Sequence, residues 1–360
     1  MADSIRLGSV FGISVELHWT IVLLFLFSLI IPALFFFFLL VFLSVFLHEL
    51  SHSLTALRNG VRVRKILLNP IGGASILDDI NLDPRIEFKI SIVGPLSNIV
   101  IAGLAGMLVT FTPIGPVTQT VQLLFEINLL LGVGNILPIF PLDGGRIFRS
   151  YLQETRSKFD ATMMTARMSK ALLLLIVLGT LAFVLLETSY SPEYREFVFL
   201  WDLFIVIVLY GGTRAEEQMA VIRKETAGLT IKDAIRRKFI FTEPGRMLSD
   251  LYTEIKDAKD HIAITRMGND FYFAAINRAR RTRGAVLVRD VAVGVPTFTE
   301  KTNLVDALAT IEGNDAPLGV VLKGNKPVGV VTAAHLESII SLHMLAQREK
   351  QLRRKEEQGI

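Results

Sequence analysis

Phe42-Leu43-Ser44-Val45-Phe46-Leu47-His48-Glu49-Leu50-Ser51-His52 sets two histidines and a glutamate at the end of an unbroken apolar run. An ionisable group at membrane depth is expensive and needs a compensating role. On an α-helix, positions i and i+4 share a face, so His48 and His52 can hold one metal ion together. Glu49 then projects beside that ion, where it can take a proton from a water at the metal. Chance occurrence of HExxH here would strand three ionisable groups in lipid, which makes the metal reading the stronger one.

The surroundings of this stretch set the architecture. The chain has 360 residues, 51% of them hydrophobic, and a mean hydropathy of +0.48, too apolar for an ordinary soluble protein. A spanning helix needs about 20 apolar residues. Runs of that order occur near residues 17–31, 33–57, 88–111, 118–137, 169–187 and 196–213. Beyond them the pattern is mixed and charge-rich. The expected fold is a multi-pass α-helical membrane protein of six transmembrane helices with a small β-hairpin region, followed by a cytoplasmic α/β domain. The expected boundaries are a membrane domain over 1–215, a linker over 216–228, a soluble domain over 229–343 and a charged, solvated tail over 344–360. The N-terminus lacks a basic segment and a small-residue cleavage site, so the first apolar run is expected to stay as a span.

Charge orients the spans. Arg58, Arg62, Arg64 and Lys65 follow the second run, Arg146, Arg149, Arg156, Lys158, Arg167 and Lys170 the fourth, and Arg214, Arg223 and Lys224 the sixth. The opposite loops hold a single base, Arg195. The positive-inside rule then puts both termini and the soluble domain in the cytoplasm, with the HExxH end of the second span near that face. The net charge of +4 sits beside apolar runs, the pattern of membrane flanks and not of a nucleic-acid surface. With no cysteine, disulfides, thiolate metal sites and a cysteine nucleophile are excluded.

Pro70-Ile71-Gly72-Gly73 lies between two short strand-like stretches, Val61-Arg62-Val63 and Ala74-Ser75-Ile76-Leu77, and reads as a hairpin beside the membrane site. The soluble part contains an internal repeat. Leu248 to Ile255 aligns with Leu304 to Ile311, Ile262 to Asn269 with Leu318 to Asn325, and Phe271 to Ile276 with Pro327 to Thr332. Each unit reads helix, strand, Gly-Asn turn, strand, helix.

A catalytic zinc site needs a third protein ligand and an open position. Asp143 follows Pro138 and Pro141 at the cytoplasmic end of the fourth run, where the prolines stop regular helix and let the chain turn inward. Spacing alone leaves two readings open, a ligand or a helix-ending Asp-Gly turn. His18 beside Trp19 reads as an interfacial anchor, Asn128 as polar glue between helices, and His261, His335 and His343 as ordinary soluble-domain residues.

Taken together, His48 to His52 on an apolar helix, Asn135 to Asp143-Gly144, Gly94-Pro95-Leu96-Ser97-Asn98 and Pro70 to Gly73 resemble the site-2 protease family of intramembrane zinc metalloproteases, in the right order across the whole membrane part. The resemblance implies one zinc ion per chain, held by His48, His52 and Asp143, with Glu49 as general base. It implies substrate contacts from Asn135 and Asn98, and a hairpin at Gly72 and Gly73 whose edge pairs with an unwound single-span substrate. The soluble repeat resembles a tandem pair of CBS modules, which implies an adenine-nucleotide cleft and pairing into a homodimer. It departs from that pattern: Thr332-Ala-Ala-His335 stands where Thr-x-x-Asp is expected, and Ile276 and Ala279 stand in the first unit. A structural role therefore stands beside the nucleotide one. Two rival functions remain at this level, a transporter or channel gated by CBS modules and an inactive scaffold of the same fold. Glu49 directly after a ligand histidine favours hydrolysis over both.

Overall fold

The computed structural model describes residues 4–357 except 71, 78–81, 112, 114, 188, 259–261, 276–285 and 315. Ile276, Ala279 and His261 lie outside the described residues. The chain divides into two compact units, Met1–Ala220 and Val221–Ile360.

The first unit opens with β1 (Ser4–Val10) and β2 (Ile13–His18), an antiparallel pair, and a ten-residue helix α1 (Trp19–Ser28). This corrects the expected span over 17–31. A ten-residue helix rises about 15 Å, half a hydrocarbon core. The run fails as one helix because its first residues belong to a strand, with Ser14 to Leu17 paired in parallel to Lys65 to Leu68. The next helix, α2 (Pro32–Arg58), carries the HExxH residues. Phe25 of α1 touches Phe42 and Phe35 of α2, so α1 runs antiparallel to α2 towards Pro32. The strand and the short helix therefore run along α2 together, and β1 and β2 lie at its HExxH end.

α2 stops where its sequence directs. Asn59-Gly60-Val61 forms a left-handed cap: Gly60 has φ +78°, its N–H donates to Leu57 O, and Val61 N–H donates to Ala56 O. Val61 is held in that cap and packs on Ala56 and Ile90. The hairpin therefore starts later than expected, as β3 (Val63–Asn69) and β4 (Gly72–Leu77). The sheet order is β1-β2-β3-β4. Its buried face, Ile13, Ile66 and Leu68, joins Ile21 against Phe42, Val45, Phe46 and Leu50.

α3 (Pro84–Phe111), α4 (Pro116–Ile136), α5 (Asp143–Leu152), α6 (Lys158–Leu186) and α7 (Pro192–Glu225) complete the unit. Among the described residues five helices, α2, α3, α4, α6 and α7, are long and apolar enough to cross a membrane. The expected linker over 216–228 is helical as far as Glu225, because Ala215 to Ala220 are helix formers without Gly or Pro. Arg149, read above as a loop cation, is buried instead. It pairs with the Glu87 carboxylate of α3 and donates to Glu216 Oε2 of α7 at 3.0 Å.

The second unit bears out the helix, strand, Gly-Asn turn and strand of each repeat, and the helix expected to close the first falls on residues 276–285, outside the described residues. β5 (Ile240–Phe241), α8 (Leu248–Ala258), β6 (Ala263–Met267) and β7 (Asp270–Ala274) are followed by β8 (Ala292–Val295). β9 (Thr297–Thr299), α9 (Leu304–Gly313), β10 (Gly319–Lys323) and β11 (Lys326–Val331) repeat the first four. Gly268 and Gly324 open the two hairpins at φ +64° and +63°, the left-handed first position of a type II′ turn. β5 and β9, which the sequence reading did not include, pair in parallel with β6 and β10. The expected solvated tail continues α10 (Ala333–Glu357), since its Lys, Arg, Glu and Gln residues favour helix.

Candidate active site

The site sits on α2, about 9 Å of helix rise before its C-terminal end at Arg58. His48, Glu49 and His52 are all buried. Asp143 joins them from the first turn of α5, where the helix dipole favours a carboxylate. The loop before it is anchored by the buried Ile139 and Phe140, by Phe140 N–H donating to Ser169 Oγ at 3.0 Å, and by Thr213 Oγ1 donating to Phe140 O at 2.8 Å. The inward turn expected from Pro138 and Pro141 is observed.

Three atoms converge. His48 Nε2 lies 3.0 Å from Asp143 Oδ2 and 3.0 Å from His52 Nε2, and His52 Nε2 lies 3.1 Å from Asp143 Oδ2. The other nitrogen of each ring is fixed from behind. His52 Nδ1 donates to the Ile90 carbonyl at 2.6 Å, and His48 Nδ1 faces Asn98 Oδ1 at 2.5 Å. The direction of that second bond is set two residues away. Asn128 Nδ2 donates to Leu124 O, so Asn128 Oδ1 must accept from Asn98 Nδ2 at 2.8 Å, which turns Asn98 Oδ1 towards His48. Ser44 closes the chain by accepting from Asn128 and donating to Leu40 O.

Both imidazoles thus carry their proton on Nδ1 and present Nε2 lone pairs to a carboxylate oxygen. Three acceptors facing one another require a cation between them. Their edges of 3.0–3.1 Å are close to the roughly 3.3 Å expected between donors on a tetrahedral zinc with bonds of about 2.0–2.1 Å. The donor set fits zinc. Gly94 lies against the ligand pair, where a Cβ would overlap both rings.

Asn98 is a correction. It is fully buried behind His48 with both ends of its amide engaged, so it orients a ligand and does not face a substrate. Asn128 is the polar glue expected of it. Asn135 is half-buried at the end of α4 and bonds back to Leu131 O. Gly73 sits against Glu49, where a Cβ would overlap the Glu49 Cγ, and Gly72 N–H donates to Asn69 Oδ1 at the hairpin end. The sequence reading missed Ser75, whose Oγ lies 2.7 Å from Glu49 Oε2. A serine in a strand carries no signal of its own. Its contact with Glu49 exists only once β4 packs on α2.

Residues 36–118 and 111–178 match the model of Peptidase family M50. The zinc metalloprotease MJ0392 of Methanocaldococcus jannaschii is 29% identical over 97% of this chain and 100% of its own length. The putative zinc metalloprotease Rip3 of Mycobacterium tuberculosis is 29% identical over 97% of this chain and 96% of its own. The solved site-2 protease from Methanocaldococcus jannaschii is 34% identical, covering 59% of this chain and 95% of that one, with a TM-score of 0.44. The chain is thus a zinc metalloprotease of the site-2 protease type, which matches Peptidase family M50 over residues 36–178.

Proposed function

We propose that the protein hydrolyses peptide bonds within or near the transmembrane segments of single-span membrane proteins, as a step in regulated intramembrane proteolysis. The observation that carries this reading is the convergence of His48, His52 and Asp143 at membrane depth with Glu49 beside them. When bound, zinc supplies Lewis acidity to a water and to the scissile carbonyl. Glu49 accepts the proton of the attacking water and passes it to the leaving amine nitrogen. Three protein ligands and a neighbouring base suit hydrolysis, whereas a transported ion would call for a fuller cage.

A helical peptide bond is shielded by its own hydrogen bonds, so the substrate must unwind. β4 is the outer strand of its sheet among the described residues, and its free edge can replace the lost bonds. In this reading Gly72 and Gly73 form the near end of that edge, and Asn135 contacts the substrate backbone. The basic loops support a cell-membrane protein with the HExxH end of α2, both termini and the second unit on the cytoplasmic side. The second unit serves as a tandem CBS-like regulatory module that pairs two chains. Calorimetry with adenine nucleotides tests its ligand, and absence of heat with each would leave pairing as its role.

The experiment is cleavage of a panel of single-span substrates by the detergent-purified protein. Cleavage should stop with a zinc chelator, return with added zinc, and be lost in Asp143→Ala together with the metal. Full zinc content in Asp143→Ala would refute the third ligand.

A further inference from the structure

Ser75 stands on β4 two residues after Gly73, on the same face of the strand. Its hydroxyl lies 2.7 Å from Glu49 Oε2 and 3.0 Å from the Glu49 carbonyl. Ser53, fully buried one turn beyond Glu49 on α2, donates to Ser75 Oγ at 3.0 Å. Ser75 therefore receives one proton from Ser53 and has one to give, and both acceptors within reach belong to Glu49. Gly73 lies against the same side chain, where a Cβ would overlap the Glu49 Cγ and crowd its Cδ and Oε1. The carboxylate is thus gripped at one oxygen and at its stem by a single strand. Among the described residues no hydrogen bond reaches Oε1.

We propose that Ser75 is a positioning residue for the general base: its hydroxyl holds Oε2 and leaves Oε1 turned to the reacting water. The inference deepens the proposed function and rests on Glu49 being the base. The strand that holds Glu49 is also the sheet edge assigned to the substrate. Seating a substrate on that edge and aiming the base are then one event.

The test uses the full-length protein in detergent with one cleaved single-span substrate. Kcat, KM, zinc per chain and thermal midpoint are measured for Ser75→Ala, Ser75→Cys, Ser75→Thr and Glu49→Ala. Ser75→Ala should lower kcat about 10- to 100-fold, the range for losing a supporting hydrogen bond at a metal site, with KM, zinc and midpoint near wild type. Ser75→Cys, of similar volume but a weak donor, should fall with it. Ser75→Thr, which keeps the hydroxyl, should recover most of the rate. Wild-type kcat in Ser75→Ala, with Glu49→Ala inactive, overturns the role of Ser75 alone. Full activity in Glu49→Ala overturns the base itself. A loss in Ser75→Ala that appears as lost zinc or a lowered midpoint, without recovery in Ser75→Thr, makes the residue structural and also overturns the inference.

Discussion

At the residue scale the site is ordered by what lies behind the ligands. The Leu124 carbonyl fixes Asn128, Asn128 fixes Asn98, and Asn98 fixes the tautomer of His48. Asn98→Ala should weaken zinc binding about 10- to 100-fold, read by zinc retained against a competing chelator. Asn135→Ala should keep its zinc and raise KM. The reverse pattern would restore Asn98 as the substrate residue. Gly94→Ala, which drives a Cβ into both imidazoles, should also release zinc, whereas Gly103→Ala on the same helix meets open space and should not. His48, Glu49 and His52 stood out in the sequence because each is costly in an apolar setting, whereas the spacing of Asp143 left a helix-ending turn open and only the family resemblance drew it to them. Asn98 was legible as important but not in its role, since a buried amide reads alike whether it faces a substrate or a ligand. Ser75 and the Ile90 carbonyl left no trace, because a strand serine and a backbone oxygen acquire their functions only through packing.

Among the elements, α5 carries Asp143, the proposed third ligand, and is held by Arg149. That side chain links α5 to Glu87 on α3 and Glu216 on α7, and lies over the Phe140 ring. A buried ion pair that loses one partner strands the other, at a cost of about 3–5 kcal/mol. Arg149→Met should therefore lower the thermal midpoint clearly, and adding Glu87→Gln to it should recover part of the loss. An unchanged midpoint in Arg149→Met would show that the cluster carries no stability. The sequence offered Arg149 as one more basic residue after a span, since the acids that bury it lie far away in the chain. The first apolar run was misjudged for a similar reason. Its composition suits a span, but the parallel pairing of β2 with β3 claims its first residues. By contrast the Gly-Asn turns and the repeat of the second unit were legible, because they are local and occur twice.

For the whole molecule, the run of β2 into α1 along α2 puts the N-terminal strands at the HExxH end. With the basic loops this predicts a cytoplasmic N-terminus and C-terminus. The chain has no cysteine, so single cysteines can report on it directly. Ser9→Cys and Lys301→Cys should resist a membrane-impermeant thiol reagent in intact cells, and Tyr190→Cys should react. Labelling of Ser9→Cys would place the N-terminal strands outside. The account turns on a metal-assisted base at membrane depth, and the comparison of Glu49→Gln with wild type reaches it most directly. In detergent, with a cleaved single-span substrate, the variant should lose cleavage by orders of magnitude while binding one zinc per chain. Retained cleavage at full zinc occupancy would contradict the account.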